Sequence, residues 1–281
     1  MRTKVALGAV LALVLAGLAI LGANAIGARQ APIAPTIGGL EDVQFVSLCR
    51  FSHRAPDDPI VFPNQPGYSH DHTFFGSMST NAASTPDALR GTRTTCNRVE
   101  DTAAYWAPTL LVDDKAVAAL DAAVYYRRTT IAPVKPFPAN LVMIAGDSHS
   151  MTPQSTRIVY WNCDLHATDI SAGPRDCGNR SLRVHIVFPE CWDGTHLDSA
   201  DHKSHMAYAE NGVCPSDHPV AVPQIVLNIR YPVSGAGRVE VASMGPYSGH
   251  ADFVNSWDEA ALTHIVDYCL DALRPCGTAP G

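Results

Sequence analysis

Histidines and an aspartate with the potential for chemistry lie in three short polar segments of the chain. These segments hold His70 and His72, His202 and His205, and His250 with Asp252. A spacing of two places both side chains on one face of an extended segment, and a spacing of three does so on a helical turn. We therefore expect the three segments to converge on one cleft.

Two kinds of chemistry use such a set of side chains. A neutral imidazole can act as a general base beside a carboxylic acid, as in the hydrolysis or elimination of a glycan. Alternatively, three imidazoles and a carboxylate can hold a divalent metal such as zinc or copper. For the first chemistry we predict a catalytic set, with His72 and His250 as proton-transfer groups and Asp252 as the acid or the residue that orients an imidazole; the whole set is His70, His72, His205, His250 and Asp252.

Aromatic and polar side chains near these segments suggest a sugar-binding cleft, because an aromatic ring stacks on the apolar face of a pyranose. The predicted substrate-binding residues are Trp192, Tyr208, Tyr247, His202, Lys203 and Asn255. The remaining histidines that we consider are expected to bond loop groups or fill the core; they are His53, His149, His166, His196, His218 and His264.

The N-terminus has the features of an export signal. Arg2 and Lys4 precede an apolar run over residues 5–21, and Ala23-Asn24-Ala25 has the small residues that a signal peptidase needs. An uncleaved membrane anchor stays an alternative, because the run is close to the length of a spanning helix. We expect a signal peptide at 1–25, a linker at 26–40, a single domain at 41–276 and a tail at 277–281, in a protein that is secreted or lies on the extracellular face of the envelope, with no other membrane segment.

All eight cysteines follow that signal, and an even number in an oxidising compartment predicts four disulfides. Eight cysteines allow 105 pairings, so the sequence alone does not choose between them. We expect pairing between nearest neighbours, namely Cys49 with Cys96, Cys163 with Cys177, Cys191 with Cys214, and Cys269 with Cys276. Since no pair has the CxxC spacing of a zinc site, a structural role is favoured.

The elements that must position the histidines are mostly strands. Short runs rich in Val, Ile, Tyr and Phe predict strands at 44–51, 105–112, 116–119, 122–128, 141–145, 156–163, 182–188, 224–231 and 238–243. Ser256 and Glu259 form an expected capping box before an apolar stripe that ends at Pro275. The fold class is therefore mainly β: a disulfide-stapled β-sandwich or jelly-roll-like domain with one C-terminal amphipathic helix and long loops at 53–100 and 189–223.

Composition excludes some functions. The chain has 20 Lys and Arg against 27 Asp and Glu, a net charge of −7, so nucleic acid is not an expected partner. No Gly-rich phosphate loop and no Gly-x-Ser-x-Gly elbow is present, which argues against nucleotide binding and serine hydrolysis.

Three motifs resemble one family. They are YSHDHTFFG at 68–76, CWDGTHLDSADHKSHMAY at 191–208 and GHADFVNSWD at 249–258, and the likeness covers about residues 43–273, including CRFSH at 49–53. The family is the secreted domain of unknown function DUF1996 of actinobacteria and filamentous fungi, whose fungal members are often joined to WSC-type carbohydrate-binding modules. The resemblance implies an extracellular setting with a polysaccharide or cell-wall glycan as partner. It assigns no activity and no cofactor, so a glycan hydrolase or lyase, a metal-binding protein and a non-catalytic glycan-binding or envelope module all stay open.

Overall fold

β-Strands dominate the computed structural model of the protein, which describes residues 39–40, 42–164 and 169–278. The strands in chain order are β1 (Gln44–Arg50), β2 (His53–Ala55), β3 (His72–Gly76), β4 (Ala104–Pro108), β5 (Leu110–Val112), β6 (Lys115–Val117), β7 (Asp121–Arg127), β8 (Val142–Gly146), β9 (Val159–Asn162), β10 (Arg183–Val187), β11 (Cys191–Trp192), β12 (Met206–Ala207), β13 (Val220–Ala221), β14 (Gln224–Arg230), β15 (Val239–Val241) and β16 (His250–Val254). The helices are α1 (Pro86–Leu89) and α2 (Glu259–Ile265), and α2 continues as a π-helical turn over Val266–Asp271.

Two five-stranded antiparallel sheets build the domain. The first sheet has the order β1-β7-β14-β10-β9, and the second sheet has the order β2-β3-β4-β16-β8. Their inner faces share one apolar core, with side chains that include Phe45, Tyr126 and Ile186 of the first sheet and Phe75, Tyr105 and Phe253 of the second. Two small three-stranded sheets, β12-β11-β13 and β15-β5-β6, complete the mainly β fold that the sequence predicts.

The outer face of the second sheet is covered as well. Because side chains alternate along a strand, Phe74 of β3 and Trp106 of β4 point away from the main core and pack in a second, smaller apolar cluster. Ile60 and Leu89, from the chain between β2 and β4, complete that cluster. The connections 56–71 and 77–91, on either side of β3, therefore both contribute side chains that pack on the outer face of the second sheet.

All four disulfides follow the expected pairing between nearest neighbours. They join Cys49 to Cys96, Cys163 to Cys177, Cys191 to Cys214 and Cys269 to Cys276. Bonds of this number are typical of proteins in oxidising compartments. They therefore agree with an extracellular protein.

Removing the longest disulfide loop is expected to destabilise the domain more than removing the shortest. The cysteines 49 and 96 are 47 residues apart and the cysteines 269 and 276 are 7 apart. The loss of loop-closure entropy predicts a decrease in the free energy of unfolding of about 4 kcal/mol for the first pair and about 2 kcal/mol for the second, when both cysteines of a pair become alanine. Denaturant unfolding of the two double variants measures this order, and equal losses would contradict it.

Two expectations about local structure were incomplete or wrong. Strands occur at all nine expected places, but three strands that carry histidines were not predicted: β2, β3 and β16. The expected capping box is wrong: Asp258 is the N-cap and its side chain accepts from the amide of Ala261, while the Ser256 hydroxyl donates to the Thr102 carbonyl 2.7 Å away. Ser256 is fully buried, so its hydroxyl bonds within the core instead of capping the helix.

The two ends of the chain leave several expectations untested. The signal peptide at 1–25 and nearly all of the linker at 26–40 lie outside the described residues, as do His166 and the tail beyond Thr278. The limits 41–276 for a single domain stay a prediction. Within the described part of the chain, no helix is both long and apolar enough to cross a membrane.

A buried polar network joins the two sheets. The Tyr105 hydroxyl donates to Asp101 at 2.8 Å and also bonds Tyr126, whose oxygen accepts from the Trp257 indole at 2.8 Å. Burial raises the pKa of Asp101 to about 7, from an ordinary value of 3.8. The Asp101 carboxyl group therefore binds its proton more tightly in the folded state than in the unfolded state.

Asp101 is expected to make stability fall as pH rises. Its contribution is fully present below its unfolded pKa of 3.8 and is lost as pH rises to about 7. Relative to the variant Asp101→Asn, whose amide does not titrate, the wild-type free energy of unfolding should fall across this window by at most about 1.4 kcal/mol per pH unit. Denaturant unfolding at several pH values tests this, and parallel pH profiles of the two proteins would contradict it.

Candidate functional site

Two strands of the second sheet bring His72 and His250 onto its outer face. β4 lies between β3 and β16, and Pro108 of β4 pairs with His72 while Trp106 pairs with Asp252. His250 precedes Asp252 by two residues, so it lies level with Pro108, on the same face. The two imidazoles lean towards each other over this proline, with ring centroids 5.7 Å apart.

His70 completes a cluster of three imidazoles. It comes just before β3, and its ring centroid lies 4.2 Å from that of His72 and 5.0 Å from that of His250. One ring nitrogen from each of these three residues lies within 4.8 Å of the other two. We call His70, His72 and His250 the histidine cluster.

Hydrogen bonds to backbone carbonyls fix the tautomers in the histidine cluster. Nδ1 of His72 lies 2.9 Å from the Asp57 carbonyl oxygen, and Nδ1 of His250 lies 3.0 Å from that of Ser248. A carbonyl only accepts, so each Nδ1 carries the proton and each Nε2 keeps its lone pair. Nε2 of His72 and Nε2 of His70 are buried and have no hydrogen-bond partner among the described residues.

The three imidazoles are neutral near pH 7. Burial lowers the pKa of His70 to about 4 and that of His250 to about 3, and it lowers the pKa of His72 well below its ordinary value. The positive charge that a neighbouring imidazole would carry adds to this effect in His72 and His250. Neutral imidazoles with free lone pairs are the form that binds metals.

The histidine cluster borders an open cleft of about 660 Å³, to which His70 and His250 contribute side chains. Asp252 lies in the same cleft and is fully buried, and neither of its carboxylate oxygens has a hydrogen-bond partner in the part of the chain that the structure describes. Burial raises the pKa of Asp252 well above its ordinary value; Asp58 raises it further, and Lys203 opposes the shift. The cleft thus combines neutral imidazoles with a carboxyl group that favours its protonated form.

Asp58 was not predicted as a site residue. Its carboxylate accepts from the amides of Ile60 and Val61, each at 3.0 Å, and it lines the cleft beside Asp252. Burial raises the pKa of Asp58 too. One signal in the sequence could have indicated Asp58. It is the pair Asp57-Asp58, which precedes Ile60 in the connection that contains His70.

The third predicted segment contributes to the cleft only in part. His202 and Lys203 line it, and Lys203 Nζ donates to the Gly146 carbonyl at 2.6 Å. His205 does not belong to the histidine cluster: its Nδ1 bonds the Ser199 hydroxyl and its Nε2 bonds the Val142 carbonyl, both at 2.8 Å. The expected helical turn is absent from residues 202–205, where His202 has a φ of 58°.

Four of the predicted substrate-binding residues lie outside this cleft. The Trp192 indole donates to His196, the Tyr208 hydroxyl donates to the Val187 carbonyl at 2.7 Å, and the Asn255 amide donates to the Pro138 carbonyl at 2.8 Å. The Tyr247 ring packs against Gly173. These four side chains bond the backbone or pack against nearby residues, and they do not line the cleft.

The remaining histidines within the described residues have local partners. Those that bond nearby groups or stack on a ring are His53 with Thr80, His149 with Ser148, His185 with Asn162, His196 with Asp193, His218 with Ser204, and His264 with Tyr268. His149 is the one among these that also lines the cleft.

A family model described as Domain of unknown function (DUF1996) matches residues 58–257, which is more than half of the chain. This confirms the resemblance that the three histidine-containing motifs indicate. The matched range includes the whole histidine cluster, Asp58 and Asp252. No curated protein and no solved structure matches the chain significantly.

Proposed function

The chain belongs to the DUF1996 family, and we propose that it holds a divalent transition-metal ion, zinc or copper, on His70, His72 and His250 and acts with it on an extracellular polysaccharide. The observation that carries this proposal is the histidine cluster, in which one ring nitrogen of each residue lies within 4.8 Å of the others. Three imidazoles at one point are a frequent ligand set for zinc and copper.

The three imidazoles lie so close together that small side-chain rotations would bring their nitrogens to the distances of a metal site. A zinc–nitrogen bond of about 2.0–2.1 Å places two tetrahedral ligand atoms about 3.3 Å apart. The buried Nε2 atoms of His70 and His72 lack partners, which a bound ion would supply. The carbonyls of Asp57 and Ser248 hold the Nδ1 protons, an arrangement that orients metal-ligating histidines in other proteins.

The site has the open form of a catalytic metal centre. Within the described part of the chain three histidines converge, and two of them, His70 and His250, border the cleft. A bound divalent ion supplies a Lewis acid and lowers the pKa of a coordinated water. His72 is fully buried and does not line the cleft, so its role is to hold the ion rather than to exchange a proton with a substrate.

Asp252 is the residue we assign to proton transfer. It lies two residues from His250 on the same face of β16, and its carboxyl faces the cleft without a partner. A carboxyl group that faces the cleft is placed to pass a proton to the leaving oxygen of a glycosidic bond. This supports hydrolysis of a polysaccharide; an elimination would use the same group as the acid.

Two features support an extracellular polysaccharide as the substrate. Four disulfides agree with a protein outside the cell, where polysaccharides are abundant substrates. A cleft of about 660 Å³ has the size of a pocket for a small ligand or a few sugar units. Cell-wall glycans are therefore the first substrates to test.

Metal titration tests the first half of the proposal. Protein freed of metal with a chelator should bind about one equivalent of Zn²⁺ or Cu²⁺ in calorimetry, and the Co²⁺ form should show the absorption of a site with nitrogen ligands. Binding should also stabilise the fold, since the ion binds the native state. Failure to bind any of these ions by a well-folded protein would remove the proposal.

A glycan screen tests the second half. Metal-loaded and chelator-treated protein are incubated with a panel of cell-wall glycans, and reducing ends and unsaturated products are measured. Metal-dependent release of products would support a hydrolase or a lyase according to the product. Glycan affinity without any product would instead identify a non-catalytic module, and neither affinity nor product would leave a metal-binding protein without a role on glycans.

A further inference from the structure

The outer face of the first sheet, on the opposite side of the core from the histidine cluster, carries a row of guanidinium groups. The register of the strands places one residue from each strand side by side. Across the sheet these residues are Arg50, Asp121, Arg230, Arg183 and Asn162. Three arginines in this row thus face one carboxylate.

Arg183 is the buried arginine of the row, and it lacks a counter-ion among the described residues. Only 8% of it is exposed, its Nε is buried without a partner, and one of its terminal nitrogens donates to Asn228 at 3.2 Å. Arg230 lies directly opposite and adds a second positive charge. Burial, and then Arg230, lowers the pKa of Arg183.

The carboxylates near Arg183 are engaged by other arginines. Asp121 accepts from Arg230, with Nε of the arginine 3.1 Å from Oδ1, and Asp164 lies 3.5 Å from a terminal nitrogen of Arg180. A nearly buried guanidinium beside another guanidinium is costly unless a negative charge satisfies it. The row therefore has more guanidinium groups than carboxylates, which is the chemistry of an anion-binding site.

These arginines stand in a groove of about 1150 Å³ whose floor is apolar. Val46, Leu48 and Ala123 form the floor, Tyr125 lines it, and Asn97 adds an amide at its side. A sugar ring has apolar faces and hydroxyl groups around its rim. Apolar surface and an aromatic ring bind the faces, and hydrogen-bonding side chains bind the hydroxyl groups. A ligand for this groove has both anionic groups and sugar-like faces.

A peptide is not expected to bind by adding a strand beside β1. Backbone amides along this edge strand already have hydrogen-bond partners. The amide of Val46 donates to the Gly277 carbonyl at 2.7 Å, that of Leu48 donates to Asn97 at 2.7 Å, and that of Arg50 donates to the Thr95 carbonyl at 3.2 Å. Strand addition needs free backbone groups at an edge. Recognition in the groove is thus left to side chains.

We propose that this groove binds an anionic polysaccharide, with a carboxylate or sulfate group seated between Arg183 and Arg230 and sugar rings lying on the floor of Leu48 and Ala123. Arg50 extends the positive surface along the groove. The groove holds the polymer on the side of the domain away from the histidine cluster. It does not depend on a metal ion.

Binding assays with defined polymers test the groove. The probes are polygalacturonate as a carboxylate polymer, heparin as a sulfate polymer, an uncharged β-glucan, and polyglutamate as an anionic peptide. We expect one or both of the anionic polysaccharides to bind, with an affinity that falls as ionic strength rises. The comparison of polygalacturonate with heparin identifies the anionic group.

Substitutions locate the binding. Arg183→Gln and Arg230→Gln should each weaken binding by about tenfold or more, since each removes hydrogen bonds to a charged group. Arg238→Gln, which removes an exposed arginine paired with Asp114 and Glu240, should leave the affinity within about twofold.

A second pair of variants avoids buried positions. Leu48→Glu places a negative charge on the groove floor, at a side chain that is 44% exposed, and should weaken binding; Leu197→Glu makes the same charge change at a 40% exposed position outside the groove and should not. Three results would each overturn the proposal. Polyglutamate or the uncharged glucan could bind as tightly as the anionic polysaccharides or more tightly, or neither anionic polysaccharide could bind. The third result is an unchanged affinity of folded Leu48→Glu for the anionic polysaccharides. Zn²⁺ binding by these variants is measured in parallel, so that a failure of this groove is distinguished from a failure of the metal site.

Discussion

Replacing His70 by alanine is expected to weaken Zn²⁺ binding by about 100-fold or more while the domain stays folded, because it removes one of three ligands. His70 is only partly buried, and its ring forms no hydrogen bond within the described residues, so little of the native structure depends on it. Calorimetry with chelator-treated protein gives the affinity, and denaturant unfolding of the same samples without metal verifies the fold.

His149→Ala is the matched control for this variant. His149 lines the same cleft and is exposed, and its ring bonds the neighbouring Ser148 hydroxyl. Its charge acts on His70 and His250, but its nitrogens do not belong to the group of three within the described residues. We expect it to bind Zn²⁺ within about threefold of the wild type, because its removal takes away no ligand. An equal loss in both variants would indicate general binding by surface histidines, and unchanged affinity in His70→Ala would exclude His70 as a ligand.

Spacing along the chain predicted part of the site. His70 and His72 are two residues apart, and the structure brings both beside His250. This succeeded although the strands β3 and β16 were not predicted. Both strands are wholly buried, and their outward positions mix the polar His72, His250 and Asp252 with the apolar Phe74 and Val254. They therefore lack the alternation of apolar and exposed residues that marks a half-buried strand.

The same spacing argument failed for His205 because the local backbone is not helical. Asp201 accepts from the amides of Lys203 and Ser204 and from the Ser199 hydroxyl, which builds a series of turns. In those turns His205 is directed to the Val142 carbonyl, away from the cluster. Turns made by side-chain hydrogen bonds are determined by such partners and not by the period of the sequence.

Contacts distant in the sequence explain what could not be predicted. Asp58 and Asp252 are almost 200 residues apart, yet they line one cleft, where Asp58 raises the pKa of Asp252. The disulfides, by contrast, join cysteines that are neighbours in the cysteine order, and these were predicted correctly. Short closures lose less chain entropy on folding, which makes sequential pairing a good first guess.

Asp252→Asn is expected to abolish most turnover while metal binding persists. The substitution keeps the shape of the side chain but removes the acidic proton that we assign to the leaving group. Loss of a general acid lowers kcat by about 10²- to 10⁴-fold. Because the Asp252 oxygens form no hydrogen bonds and lie outside the group of three ligand nitrogens, the affinity for Zn²⁺ should change by less than about tenfold.

Asp147→Asn separates this role from a general effect of negative charge in the cleft. Asp147 lines the cleft but is exposed, and an asparagine oxygen can still accept from the amide of His149 as the carboxylate does. Rates are compared on whichever glycan the wild type converts, at saturating metal and over a range of pH. Wild-type turnover in Asp252→Asn, or an equal loss in Asp147→Asn, would mean that the proton comes from elsewhere; a large loss in Asp252→Asn alone, with Zn²⁺ still bound, leaves the buried carboxyl beside His250 as the acid.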